Sequence, residues 1–161
     1  MAAPNLANPP ILTTNRTKIL EVYNTIKVDG IHFDGRDLAS SAIRLRTPSP
    51  KSLYVDNCRF SHFLQDAITE QQDVAGSVFV RNSIFHDIAQ TAIEFKTPDT
   101  CHQLIIENST FYHIGGKAIH LVSNKLPTEV RLRNLTINNC VGGIWIEGVK
   151  AGVVTHSIVT D

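Results

Sequence analysis

The stretch Val80-Arg-Asn-Ser-Ile-Phe85 decides the fold, because the chain repeats it. Val28-Asp-Gly-Ile-His-Phe33, Val55-Asp-Asn-Cys-Arg-Phe60, Ile106-Glu-Asn-Ser-Thr-Phe111 and Leu132-Arg-Asn-Leu-Thr-Ile137 align with it without gaps. Val154-Thr-His-Ser-Ile-Val159 is a weaker copy. The third position reads Gly30, Asn57, Asn82, Asn108, Asn134 and His156, at intervals of 22–27 residues. A second landmark follows in each of five units: Ser41-Ala-Ile-Arg-Leu45, Asp66-Ala-Ile-Thr-Glu70, Thr91-Ala-Ile-Glu-Phe95, Lys117-Ala-Ile-His-Leu121 and Gly142-Gly-Ile-Trp-Ile146. Two linked landmarks at one period mark a repeat architecture.

The period fits short strands rather than helices. The segments are brief, alternating and rich in Ile and Val, and no long run has a 3.6-residue apolar period. The expected fold is an all-β, single-stranded, right-handed parallel β-solenoid of five to six coils, stacked about 4.8 Å apart. Phe33, Phe60, Phe85 and Phe111 should stack inside, continued by Ile137 and Val159, and Ile43, Ile68, Ile93, Ile119 and Ile144 should form a second internal column. The asparagines should form an inward ladder at a tight turn, where Asn tolerates left-handed backbone and stacked amides can bond to one another. Inward residues are poor glycosylation acceptors, which leaves Asn15 as the sequon in an exposed context.

Composition bounds the rest. The 161 residues carry 15 basic and 15 acidic side chains, with 42% hydrophobic residues. That allows one domain with a real core, and it supplies no basic excess for nucleic acid. No apolar run approaches the length of a membrane helix. Cys58, Cys101 and Cys140 make neither a disulfide framework nor a zinc pair. Residues 1–18 read as a Pro/Asn/Thr-rich lead-in or cap and 19–161 as the solenoid. A final coil without a cap implies truncation, continuation by another segment or self-association through that end.

This pattern resembles the right-handed parallel β-helix of the pectate-lyase-like superfamily. It is nearest to the chondroitinase-B and alginate-lyase branch and to β-helix modules of secreted polysaccharide-degrading proteins. The resemblance implies an acidic polysaccharide partner, a groove on one sheet and its loops, calcium as cofactor, and a secreted or periplasmic location. It does not extend to catalytic motifs. Arg-x-Pro-x-x-Arg is missing, and Arg46-Thr-Pro-Ser-Pro-Lys51 only echoes it. The paired-Asp and Gly-His-Gly signatures are absent, as is a mappable Lys/Arg pair, so no catalytic assignment transfers.

Strand alternation places the candidate site. With the second-landmark Ile inward, its neighbours point out. The first outward column, Ala42, Ala67, Ala92, Ala118 and Gly143, should be a flat floor. The second is Arg44, Thr69, Glu94, His120 and Trp145, and the third is Arg46, Gln71, Lys96, Val122 and Glu147. In the functional reading Trp145 stacks on a sugar. Arg44, Arg46 and Lys96 meet uronate carboxylates beside Glu94. His120, Lys117 or Lys96 is the catalytic group for abstraction of an acidified carbon proton. The competing reading is a solvated sheet with ion pairs, such as Glu94 with Arg44 or Lys96.

A second column, in the loop expected after each Phe and two residues beyond it, reads Gly35, His62, Asp87, His113 and Asn139. His62, Asp87 and His113 are weak candidates for a metal site or a hydrogen-bonded relay, with turn capping as the plain alternative. Gly115-Gly116 and Gly142-Gly143 read as turn glycines rather than phosphate loops, since no helix follows. Cys140 should fall in the core column of Ile88 and Ile114, and Cys58 in the column of Ser83 and Ser109. Three readings of function stand: a carbohydrate-active β-helix that binds and cleaves an acidic polysaccharide by β-elimination, a non-catalytic binding or adhesin module, and a structural segment of a larger β-helical protein.

Overall fold

The computed structural model describes residues 8–46, 52–70, 76–96, 101–122, 129–149 and 152–160. Each coil contributes three strand positions. The first is a six-stranded parallel sheet of β3 (Ile26–Asp29), β6 (Leu53–Asp56), β9 (Gly76–Arg81), β12 (Cys101–Glu107), β14 (Glu129–Arg133) and β16 (Gly152–Thr155). The second position holds β1 (Ile11–Thr13), β4 (His32–Asp34), β7 (Arg59–Phe63), β10 (Ile84–Ile88) and β17 (Ile158–Thr160). The third holds β2 (Lys18–Val22), β5 (Ser41–Leu45), β8 (Ile68–Glu70) and β11 (Ile93–Phe95). Two long strands, β13 (Thr110–Val122) and β15 (Thr136–Glu147), turn the corner and serve as second and third strand together, joining both positions into one eleven-stranded sheet. All pairings are parallel, as the repeat predicts. Among the described residues no helix is long and apolar enough to cross a membrane.

The register matches the repeat alignment residue for residue. Phe33, Phe60, Phe85 and Phe111 pair in sequence with Ile137 and Val159, but Val159 at the end of the column is exposed rather than internal. Their rings stack at 4.9, 4.6 and 4.9 Å, within 8° of parallel, and all four are fully buried. Ile43, Ile68, Ile93 and Ile119 are buried in register, and Ile144 packs against their end. Cys140 lies opposite Ile114, and burial pushes its thiol pKa up. Cys58 shares its column with Ser83 and Ser109: the Cys58 N–H donates to Ser83 Oγ and the Ser83 N–H to Ser109 Oγ. Ile11–Thr13, inside the sequence-defined lead-in, pairs with His32–Asp34, so the sheet starts there.

Three expectations need correction. The asparagines point outward. Asn57, Asn82, Asn108 and Asn134 all have φ near +50°, and the last three are exposed at the outside of the turn. Gly30, with φ 68°, fills the same position in the first coil. Asn134 Nδ2 donates to Asn108 Oδ1 (2.9 Å), Asn108 Nδ2 to Asn82 Oδ1 (3.3 Å), and Asn82 Nδ2 to Asp56 Oδ1 (2.8 Å). Asn108 and Asn134 are poor glycan acceptors because their amide nitrogens are spent in this ladder, not because they are buried.

The alanine column is not a surface floor. Ala42, Ala67, Ala92 and Ala118 are fully buried. Ala67 and Ala92 sit at bends before β8 and β11, so strand alternation does not yet apply to them. Their small size answers a tight inside corner.

The column after each Phe is not in a loop. His62, Asp87, His113 and Asn139 are left-handed residues inside or at the bulged part of β7, β10, β13 and β15, with φ between 49° and 57°. Asn, Asp and His are the non-glycine residues that accept this conformation most readily. The column is a second left-handed kink, repeated coil by coil.

Gly115 shows how closely the coils approach at the corner. A Cβ there would lie 2.3 Å from the Ala89 carbonyl oxygen, a backbone atom that cannot step aside. Gly115→Ala is therefore expected to destabilise the chain by about 1–3 kcal/mol through overpacking. A urea midpoint unchanged from the parent chain would contradict this contact.

Candidate functional site

The third strand position gathers most of the expected site residues. Glu94 on β11 pairs in register with His120 on β13, and His120 with Trp145 on β15. Glu94 Oε1 accepts from Lys96 Nζ at 2.7 Å and from His120 Nδ1 at 3.1 Å. The Nδ1–H of His120 thus faces a carboxylate, the arrangement that leaves Nε2 as the proton-accepting nitrogen of a neutral ring. The His120 and Trp145 rings meet edge to face, 6.3 Å apart. Lys117 Nζ lies 4.9 Å over the Trp145 ring, a cation–π contact, and Trp145 Nε1 donates to Glu147 Oε1 at 2.6 Å. Trp145 is 50% exposed.

Asp66 completes the cluster, and sequence reasoning missed it. It occupies the corner just before the buried alanine, where Ser41, Thr91, Lys117 and Gly142 stand in the other coils. Only 8% of it is exposed. Its Oδ1 accepts the Thr91 N–H at 3.0 Å. Burial, then the Glu94 charge, raises the Asp66 pKa to about 7. Burial also pushes Glu94 up, but hydrogen bonds from Lys96, His120 and Asp66 outweigh it and hold Glu94 below its ordinary value. The two carboxyls are thereby pushed in opposite directions, Asp66 above and Glu94 below the ordinary carboxylate range, as in acid–base sites. The available signal was a lone acid in a column of otherwise small, neutral or basic residues.

Other expected members stand apart. Arg44 is in the second column but three coils before His120, and its Nε is buried without a hydrogen-bond partner among the described residues. The guanidinium of Arg46 is held by Glu21 Oε1, from Nε at 3.0 Å and Nη2 at 2.8 Å. Lys18 also pairs with Glu21, and together these cations draw the Glu21 carboxyl down to about 2. Of the ion pairs expected for Glu94, the one with Lys96 forms along a single strand. Thr69 is buried, and Gln71 lies outside the described residues.

The His62, Asp87, His113 column makes separate paired contacts. His62 Nδ1 lies 3.1 Å from Asp34 Oδ1, His113 Nδ1 lies 3.3 Å from Asp87 Oδ1, and His86 Nδ1 lies 2.7 Å from Asp87 Oδ2. His62 Nε2 is 3.9 Å from Asp87 Oδ2. The His86 bond leads the contacts that lower the Asp87 pKa. These are pairwise contacts strung along the stack. Among the described residues no group of three or more His, Cys, Asp or Glu side chains is disposed to hold a metal ion. The calcium that the resemblance implies takes six to eight oxygens around one point, and acidic side chains do not gather in threes for it among the described residues.

A cleft of about 430 Å³ lies at Thr14, Arg16, Lys18 and Glu21, and two smaller ones lie on the other sheet. One of about 300 Å³ is lined by Arg131, Arg133, Gly152 and His156, and one of about 210 Å³ by Tyr54 and Phe79. On the Glu94–His120–Trp145 face Trp145 is half exposed, while the His120 and Glu94 side chains are 11% and 14% exposed. Residues 12–160 match the family model described as a right handed beta helix region. Comparison with curated proteins gives no match. Repeat, register, stacked core and family match agree: the chain belongs to the right-handed β-helix family.

Proposed function

We propose that this β-helix binds an acidic polysaccharide across the face formed by β11, β13 and β15, and cleaves it by β-elimination. The observation that carries this reading is the Glu94–His120 pair set between Lys96, Lys117 and the exposed Trp145. Trp145 offers a stacking surface for a sugar ring. Lys96 and Lys117 supply positive charge for a uronate carboxylate, which lowers the cost of carbanion character at the adjacent carbon. His120 Nε2 takes the proton from that carbon, and the C–H electrons form the new C=C bond. The glycosidic C–O bond breaks with its electrons on the leaving oxygen, which takes a proton from Lys117 or water. The pectate-lyase-like branch, and the chondroitinase-B and alginate-lyase pattern within it, fits this chemistry.

A second reading has its own support. Glu94 is already satisfied by Lys96 and His120, as the ion pairs of a structural or adhesin segment would be. Binding separates the two. Trp145→Ala should weaken association with a uronate oligosaccharide about tenfold, a loss of about 1.4 kcal/mol, read by titration calorimetry. Equal affinity in Trp145→Ala and Lys96→Ala, or no binding by the parent chain, would remove the glycan from this face.

A further inference from the structure

We propose that Arg131, Arg133, Thr155 and His156 bind a sulfate or phosphate group, free or carried as a monoester on a sugar. The site lies on the six-stranded sheet, away from the β11, β13 and β15 face, and does not depend on the glycan reading above. Strand alternation builds it. Val130 and Leu132 of β14 are buried, while Arg131 and Arg133 are exposed on the outer side. β16 pairs alongside and sets Thr155 opposite Arg133. His156 is the left-handed turn residue that follows, with φ 51°. These four side chains line one cleft of about 300 Å³, together with Glu129 and Gly152. That volume is at the small end of ligand pockets.

The cleft holds a cation that no described acid balances. The outer column of Arg133 reads, in register, Asp29, Asp56, Arg81, Glu107, Arg133 and Thr155. Glu107 is taken by Arg81, with Nε 3.2 Å from Oε2. The position after Arg133 is a threonine, and Arg133 has no carboxylate partner among the described residues. Arg131 differs. Its Nη2 lies 2.5 Å from Glu129 Oε1, and Gln103 Nε2 donates to the other Glu129 oxygen at 2.9 Å. One acid against two guanidinium groups leaves the cleft positive.

Unused neutral donors stand beside that charge. The asparagine ladder ends with the bond from Asn134 to Asn108, and His156 takes the next place in the column. Neither the His156 ring nor the Thr155 hydroxyl has a hydrogen-bond partner among the described residues. A guanidinium fork suits carboxylate, sulfate and phosphate alike. The hydroxyl and the imidazole N–H shift the balance. A carboxylate offers two oxygens, whereas a sulfate or phosphate monoester offers three. Four donor side chains from two strands and a turn suit the larger group, and the rest of the cleft has room for the sugar that carries it.

The test is titration calorimetry on the whole chain at fixed ionic strength. The probes are the sulfate and phosphate monoesters of glucose, inorganic sulfate, inorganic phosphate and glucuronate. At least one sulfate or phosphate probe should bind, and Arg133→Gln should weaken it about tenfold or more. Arg36→Gln, which removes an exposed arginine outside the cleft, should leave affinity unchanged. Glu129→Gln should tighten binding, since it frees Arg131 and removes the acid of the cleft, and a gain of this kind cannot come from misfolding. An inorganic ion that binds as tightly as its ester would support the site and make the free oxyanion its ligand. No binding of any sulfate or phosphate probe, glucuronate bound as tightly as the best of them, or an equal loss in Arg36→Gln would overturn the proposal.

Discussion

Phe85→Ala is expected to destabilise the chain by about 3–5 kcal/mol, the range for removing a fully buried aromatic side chain. Whole-domain stability is commonly about 5–15 kcal/mol, so this is a large share of it. The magnitude comes from position. Phe85 is stacked on both sides, 4.6 Å from Phe60 and 4.9 Å from Phe111. A solenoid is coupled mainly between neighbouring coils, so a gap at Phe85 weakens the link on both sides of the third coil. Backbone bonds between β7, β10 and β13 hold the coils at fixed spacing, so the cavity cannot close. Equilibrium urea unfolding should show the loss, with Phe85→Leu well short of it. A shift below about 1 kcal/mol for Phe85→Ala would contradict the stacked core.

His120→Ala is the second large effect. If His120 is the base, its removal should lower the rate of uronate elimination by about 10²–10⁴-fold, the usual worth of a positioned general base. Loss should fall on kcat more than on KM, because Trp145 and the lysines that hold the substrate remain. Glu94→Gln should also lower kcat, since an amide no longer supplies the charge that stabilises a protonated imidazole. An equal rate in His120→Ala would move the chemistry off this residue.

How much of this was legible in the sequence follows from what repeats and what does not. The coil period, the Phe and Ile columns and the place of Cys140 were readable because each is a demand made once per coil and answered five times. The direction of the asparagines was not readable, since a left-handed turn constrains φ but leaves the side chain free to face either way. The burial of Ala67 and Ala92 was not readable, since alternation holds only along a strand and both stand at bends before β8 and β11. The His62, Asp87, His113 and Asn139 column looked like chemistry. Its common property is tolerance of positive φ, which a chemical reading of side chains overlooks.

The site divides in the same way. Glu94, Lys96, His120 and Trp145 were found because alternation puts them on one face of one sheet. Arg44 and Arg46 were grouped with them by column, but a column says nothing of distance along the stack, and they stand coils away. Lys117 was found by its chemistry as a candidate base and proved to lie on Trp145. Asp66 was hidden because it belongs to a different column, whose other members carry no acid. Its pKa near 7 depends on burial, which no local motif states.

The most direct measurement is ultraviolet absorbance from unsaturated ends, released when the parent chain is incubated with a panel of uronate polysaccharides. The account predicts a time-dependent rise with at least one polymer, abolished by His120→Ala in a chain that still unfolds at the parent urea concentration. No rise with any polymer, or an equal rise from His120→Ala, would contradict it.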